Sequence, residues 1–174
     1  MTAIVPLGHL NDMLRAEMPD FDFTNPSEDP VELTQVLIKT MKQGNGIGLA
    51  ANQIGKQVRV FTMMTDPPMV CFNPRVTWTS DEQIVLDEGC LSYPGVAVKV
   101  KRSKDIRAKF QDPYGNVVVK KFTGLAARVF LHEMDHLDGV EYFNRANPMH
   151  KERFKRKWEK TVRTIKNYAA SKDK

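Results

Sequence analysis

The sequence predicts an α+β domain: antiparallel strands around a buried central helix, with one helix before the strands and a basic helix at the C-terminal end. Three observations carry this. Apolar residues recur at helical spacing near both ends of the chain. Short strand-like stretches with turn signals fill the middle. Between them and the last helix, residues 125–137 read as a helix that is apolar on nearly all sides.

In order along the chain, Asp29 is placed to cap a helix. Pro30 suits its first position, and Glu32 completes a capping-box arrangement. Leu33, Leu37 and Met41 form its apolar stripe, and Gly44 ends it. A glycine-rich loop from Gly44 to Gly48 follows. Residues 58–63 read as a strand, and residues 69–74 as a second strand closed by Asn73-Pro74. Residues 96–102 alternate as a half-buried strand does. Residues 106–110 and 117–122 flank Asp112-Pro-Tyr-Gly-Asn116, a hairpin signal. In the last helix, read from Lys151, residues Phe154, Trp158, Val162, Ile165 and Ala169 make one face apolar and leave the other rich in Lys and Arg.

At 174 residues the chain fits one domain, read as a catalytic portion over 1–147 and a C-terminal helix over 148–174 that packs on it or projects from it. No apolar run approaches the roughly 20 residues of a membrane helix. The opening residues lack the basic and long apolar regions of a secretory signal, so the expected compartment is the cytoplasm. Two cysteines far apart argue against a disulfide framework. The net charge of +5 is unevenly placed. Residues 145–174 carry eleven Lys/Arg against three Asp/Glu, a net +8, whereas residues 1–144 carry 15 against 18, a net −3. A mildly acidic body disfavours nucleic-acid binding there and leaves only the tail open to an anionic surface.

His132-Glu133-Met134-Asp135-His136 lies within the apolar helix. Positions i and i+4 share a face, so both imidazoles can reach one metal ion, and Glu133 can activate a water and shuttle its proton. The motif alone also arises by chance, with two ordinary histidines and a salt-bridging glutamate. An apolar helix makes that costly, because buried histidines and carboxylates need partners. A catalytic site typically takes three protein ligands. A metzincin would place the third at position 142, which is Tyr; the downstream Glu152 and Glu159 sit in the basic tail. Cys90, in the turn-rich stretch Asp87-Glu-Gly-Cys-Leu-Ser-Tyr-Pro-Gly95, is the better candidate, whereas Cys71 reads as a small buried residue in its strand. A structural metal site would need a fourth protein ligand, and none is evident.

Gly46-Ile-Gly-Leu-Ala-Ala-Asn-Gln53 partly matches a dinucleotide-binding fingerprint. Here a helix precedes it and a strand follows, the reverse of what that fingerprint requires. Its glycines instead let the backbone approach a ligand or another segment. Gln53 reads either as an amide aimed at a developing oxyanion or as a surface glutamine after a turn.

Taken together, Gly46-Ile-Gly-Leu-Ala-Ala-Asn-Gln53, Glu88-Gly-Cys-Leu-Ser92 and His132-Glu-Met-Asp-His136-Leu are similar to the three signature motifs of peptide deformylases, in the family's order. Asn73-Pro74, Arg102 and the Gly124-Leu-Ala-Ala-Arg128 approach to the helix also resemble the family, while Leu131 stands where many members carry Gln. The resemblance implies removal of the formyl group from N-formylmethionine on nascent chains. It implies one divalent metal ion held by Cys90, His132 and His136, commonly Fe²⁺ in the cell, with Ni²⁺, Co²⁺ or Zn²⁺ also found in preparations. Glu133 would be general base and acid, Gln53 and the Leu91 N–H would hold the oxyanion, and Gly48 would pair with the substrate backbone. Ile47, Leu86, Leu125 and Val129 either line a pocket for the methionine side chain or belong to the core. Asp135 either orients a ligand histidine or forms a salt bridge to Arg128. The basic helix either docks the ribosome or is a solvated face. The protein is expected to be a monomer.

Overall fold

The computed structural model describes residues 12–172. Residues 1–11, on which the reading of the leader falls, lie outside the described residues, as does the Ala169 side chain. Helix α1 spans Pro30–Gln43. The Asp29 carboxylate accepts from the N–H groups of Val31 and Glu32, both at 2.8 Å, a cap that contributes about 1 kcal/mol. The Gly44 N–H closes the other end on the Thr40 carbonyl.

Seven strands follow: β1 Gly48–Ala50, β2 Val60–Met63, β3 Met69–Thr79, β4 Gln83–Cys90, β5 Tyr93–Ser103, β6 Asp105–Gln111 and β7 Val117–Thr123. A five-stranded antiparallel sheet runs β1-β2-β3-β6-β7, and β4 and β5 pair by themselves. Helix α2, Gly124–Leu137, packs against strands of both sheets. Helix α3, Pro148–Lys172, ends the described chain.

Alternation explains the cores. Along β6, Ile106, Ala108 and Phe110 point inward, where Phe61, Phe122 and the α2 residues Val129 and Phe130 meet them. Removing a fully buried ring such as Phe130 would cost about 3–5 kcal/mol. The α1 stripe Leu33, Leu37 and Met41 closes over Leu49, Val60 and Phe72. The third cluster joins β5 to α3: Val96, Val98 and Val100 lie with Phe154, Trp158 and Val162 around Tyr93. The first turns of α3 therefore pack on the body through the apolar face expected of them.

Several expectations change. Strand β2 begins at Val60 rather than Val58, and α3 begins at Pro148 rather than Lys151. Asn73-Pro74 does not close β3; the strand runs through it to Thr79 with a shift of register between Phe72 and Arg75. Proline is tolerated at such a bulge because no ladder bond is asked of its nitrogen. Asn73 takes φ 51° and exchanges side-chain hydrogen bonds with the Phe21 backbone at 2.7 and 2.9 Å. Strands β1 and β4 were not expected. β1 is three residues long, and residues 84–86 are three apolar residues in a row, without the alternation that marks a half-buried strand.

Candidate metal centre

The centre forms where β4, the turn after β1 and helix α2 meet. Cys90 ends β4, at a register shift that breaks the ladder after Gly89. Its Sγ lies 3.1 Å from the Nε2 of His136. The ligand atoms of Cys90, His132 and His136 all lie within 4.8 Å of one another. A helical i, i+4 pair facing a strand end thus brings residues 46 positions apart in sequence onto one point.

The surroundings suit a cation. The Nδ1 of His132 lies 3.0 Å from the Glu88 carboxylate. A carboxylate only accepts, so Nδ1 carries the hydrogen and Nε2 is the nitrogen a metal would take in place of a proton. Burial lowers the proton affinity of His132, but Cys90 and Glu88 outweigh it and hold its pKa up to about 10. That field favours positive charge, which a divalent ion satisfies. His136 is pushed well below the ordinary histidine range by burial, and further by His132 and Arg102, so it stays neutral, the ligating form.

Behind these ligands lies a buried ionic lattice. Burial would raise the Glu88 pKa, but hydrogen bonds from Arg102 and His132 hold it at about 2. Arg102 grips Glu88 through two nitrogens at 2.7 and 2.9 Å, and Arg128 adds a third bond at 2.6 Å. Arg102 also donates to Asp135 at 2.8 Å, and Arg145 donates to Asp135 at 2.7 Å. Asp135 therefore pairs with Arg102 and Arg145, not with Arg128, and the acceptor that orients His132 is Glu88. Breaking one partner of such a buried lattice typically costs about 3–5 kcal/mol.

Glu133 follows His132 on the helix and is 4% exposed. Its Oε2 has no hydrogen-bond partner among the described residues, and burial pushes its pKa up to about 7 against the pull of His132. A carboxyl poised near neutrality suits a group that must both take and return a proton. Gln53 accepts from the Ala50 N–H at 2.9 Å and aims its amide at the Ser92 hydroxyl (3.0 Å) and the Cys90 sulfur (3.4 Å). It is buried beside the ligands, not a surface residue.

Gly48 explains its own identity. A Cβ there would meet the Glu133 carboxyl carbon at 2.8 Å and Val129 at 2.9 Å. Gly48→Ala should therefore displace Glu133 and lower kcat/KM by about 100-fold, the cost of a misplaced catalytic group, with thermal unfolding little changed. Wild-type kinetics in that variant would show that the approach has no catalytic consequence.

A cavity of about 480 Å³ opens on this group. Ile47, Leu125 and Val129 line it, with Gln53, Leu91 and Glu133. Ile47 and Leu125 are 53% and 61% exposed, which places them at an open surface rather than in the core. Leu86 is not among the lining residues and stands 46% exposed on β4. Residues whose part the sequence does not reveal are Glu88 as orienting acceptor, Arg128 as its support, Arg145 as a partner of Asp135, and Asn52. The Asn52 amide donates to the His136 carbonyl at 2.6 Å and so ties the turn carrying Gln53 to the metal helix. A signal exists for one of them: Glu88 is the inward residue facing Val98 across the ladder, and its partner Arg102 continues the inward series Val96, Val98, Val100.

Such a fold and such donors describe the class of small metallohydrolases that work from a HExxH helix. The chain belongs to the polypeptide deformylase family, whose model matches residues 1–152. It is 40% identical over 131 residues to the peptide deformylase of Thermotoga maritima, a match spanning 75% of this chain and 80% of that one. The solved structure of a Thermotoga maritima peptide deformylase superposes with a TM-score of 0.78 at 36% identity, covering 85% of this chain and 99% of that one. A plant peptide deformylase structure reaches a TM-score of 0.86 at 27% identity, covering 97% and 93%.

Proposed function

We propose that the metal this family requires is held by Cys90, His132 and His136, and that the adjoining cavity is where the formyl group is hydrolysed. As a family member the enzyme removes the formyl group from the N-terminal formylmethionine of nascent polypeptides, in a metal-dependent hydrolysis that releases formate. The observation that carries the site reading is the convergence of one thiol and two imidazoles beside a buried carboxylate with one oxygen unpartnered among the described residues.

A divalent cation held there supplies Lewis acidity, making water acidic enough to react near neutral pH. The residues of the chain do the rest. Glu133 takes a proton from the attacking water and returns it to the amide nitrogen as the carbon–nitrogen bond breaks, leaving formate and a free α-amine. The Gln53 amide and the Leu91 N–H donate to the formyl oxygen as it gains charge. The Gly48 backbone pairs with the substrate backbone. Ile47, Leu125 and Val129 receive the methionine side chain. The thiolate among the ligands suits softer divalent ions, and Fe²⁺ is the ion proposed for the cell, with Ni²⁺, Co²⁺ or Zn²⁺ as substitutes.

Formate release from formyl-Met-Ala-Ser, measured anaerobically, tests this reading. Activity should vanish on chelation and return with Fe²⁺. A metal-loaded protein that leaves the peptide formylated would overturn it.

No helix among the described residues is long and apolar enough to cross a membrane. In this reading the enzyme works in the cytoplasm as a monomer, with residues 1–147 carrying the chemistry and the helix over 148–174 docking the ribosome. Lys155, Arg156, Lys160 and Arg163 are exposed on α3. Phosphate contacts make such binding steeply salt-dependent. Cosedimentation with ribosomes at low salt should fall sharply when these four are changed to Ser. Equal sedimentation of both proteins would remove this group of four from ribosome binding.

A further inference from the structure

Beside the catalytic cavity lies a second, smaller hollow of about 130 Å³ between β5 and α3. Four basic residues converge on it: Lys99 from β5, and His150, Arg153 and Lys157 from one flank of α3. Positions 150, 153 and 157 follow the helical spacing that places residues on a single stripe. Lys155 and Arg163 lie on the other flank, where they line a different groove with Arg15 and Glu141. Lys99, Arg153 and Lys157 are exposed, and no carboxylate lies within ion-pair distance of any of them among the described residues. The apolar floor is Val98 and Phe154.

Asp87 borders both this hollow and the catalytic cavity, so the two adjoin at that residue. It precedes Cys90 by three positions on β4, about 10 Å at the rise of an extended strand. An extended peptide covers that distance in about three residues. Asp87, the one carboxylate of the rim, stands opposite Lys99 in the β4–β5 register without an ion pair to it among the described residues, so cations outnumber carboxylates around the hollow.

We propose that this hollow, adjoining the catalytic cavity at Asp87, is a subsite that takes an acidic side chain of the substrate, three to four residues downstream of the formylmethionine. The carboxylate lies among Lys99, Arg153 and Lys157, and its methylenes rest on Val98 and Phe154. A lysine at the same place in the peptide meets three like charges against the single carboxylate of Asp87. The enzyme thereby favours nascent chains with an early acidic residue. The inference rests on the deformylase reading of the neighbouring cavity.

The test uses formyl-Met-Ala-Ala-X-Ala and formyl-Met-Ala-Ala-Ala-X with X as Glu, Gln or Lys. The full-length, metal-loaded enzyme is compared with its Lys99→Gln/Arg153→Gln/Lys157→Gln variant. Exposed ion pairs are individually weak and screened by salt. Wild type should therefore prefer Glu over Lys by about fivefold in kcat/KM at low salt, through KM, and the preference should fade as salt is added. The triple variant should show a ratio near one, with turnover of the Gln peptides unchanged. A wild-type ratio of one alongside good turnover of the Gln peptide refutes the subsite and leaves deformylation standing. A preference that survives in the variant refutes the assignment to these residues. Loss of ribosome cosedimentation in the variant, with the peptide ratio unchanged, assigns the cluster to RNA and refutes the peptide subsite. Failure with every peptide overturns both readings.

Discussion

Replacing Glu133 with alanine is expected to leave a folded, metal-loaded and inactive protein. Its carboxyl is 4% exposed, and one oxygen has no partner among the described residues. The native state therefore bears the desolvation of that group with little hydrogen bonding in return. Removing it relieves that cost, so thermal unfolding should shift little, or upward. The chemistry should suffer heavily, because proton transfer by a positioned side chain is worth about 10²–10⁴ in rate. The loss should fall on kcat, since the side chains that line the cavity for methionine are untouched. Metal content should remain at one ion per chain, because the ligands are unchanged. Formate release near the wild-type rate in Glu133→Ala would refute the assignment of the base. Loss of metal together with activity would make Glu133 a support of the ligands instead.

The second large effect is expected at Cys90. Cys90→Ala removes the only ligand not carried by α2, and the two imidazoles then hold the ion alone. Replacing outer partners of metal ligands typically costs 10–100-fold in affinity, so deleting a ligand should exceed about 100-fold. Equilibrium dialysis against a competing chelator measures this directly, and activity at fixed metal should fall in step. The fold should tolerate the change, because Cys90 is only half buried and sits at the edge of the third cluster. Unaltered metal affinity in Cys90→Ala would remove the thiol from the ligand set. Cys71 offers the control. It is fully buried in β3, burial raises its thiol pKa well above the ordinary range, and it lies among apolar side chains of the sheet core.

These expectations draw on features that differ in how plainly the sequence carries them. The His132/His136 pair is readable because both imidazoles lie on one helix, where spacing alone decides the face. Helix α1 was readable for the same local reason, from its Asp29-Pro30 start to its Gly44 end. Cys90 came into view as the one cysteine in a turn-rich stretch near small residues, yet its 3.1 Å approach to His136 depends on how β4 docks against α2, which no local pattern encodes. The lattice around Glu88 was hidden for a related reason. Arg102, Arg128 and Arg145 come from β5, α2 and the turn after it, and only the assembled fold makes them partners. Asp135 could be recognised as costly to bury, but not matched to Arg102 and Arg145 rather than to Arg128. Leu86 misled because it sits in an apolar run, and β4 turns it outward instead of into the cavity. Strand β3 misled at Asn73-Pro74, where the strand runs on through a register shift and the Asn73 side chain ties it to the Phe21 backbone.

The central claim is that one thiolate and two imidazoles hold the metal on which deformylation depends. X-ray absorption on the anaerobically loaded wild-type enzyme tests it most directly, with zinc as the probe ion. Structural chemistry sets zinc–sulfur at about 2.3 Å and zinc–nitrogen at about 2.0–2.1 Å. The account predicts one sulfur and two imidazole nitrogens in the inner shell of a single ion per chain, with the sulfur lost in Cys90→Ala. A shell of nitrogen and oxygen alone in the wild-type enzyme would contradict it.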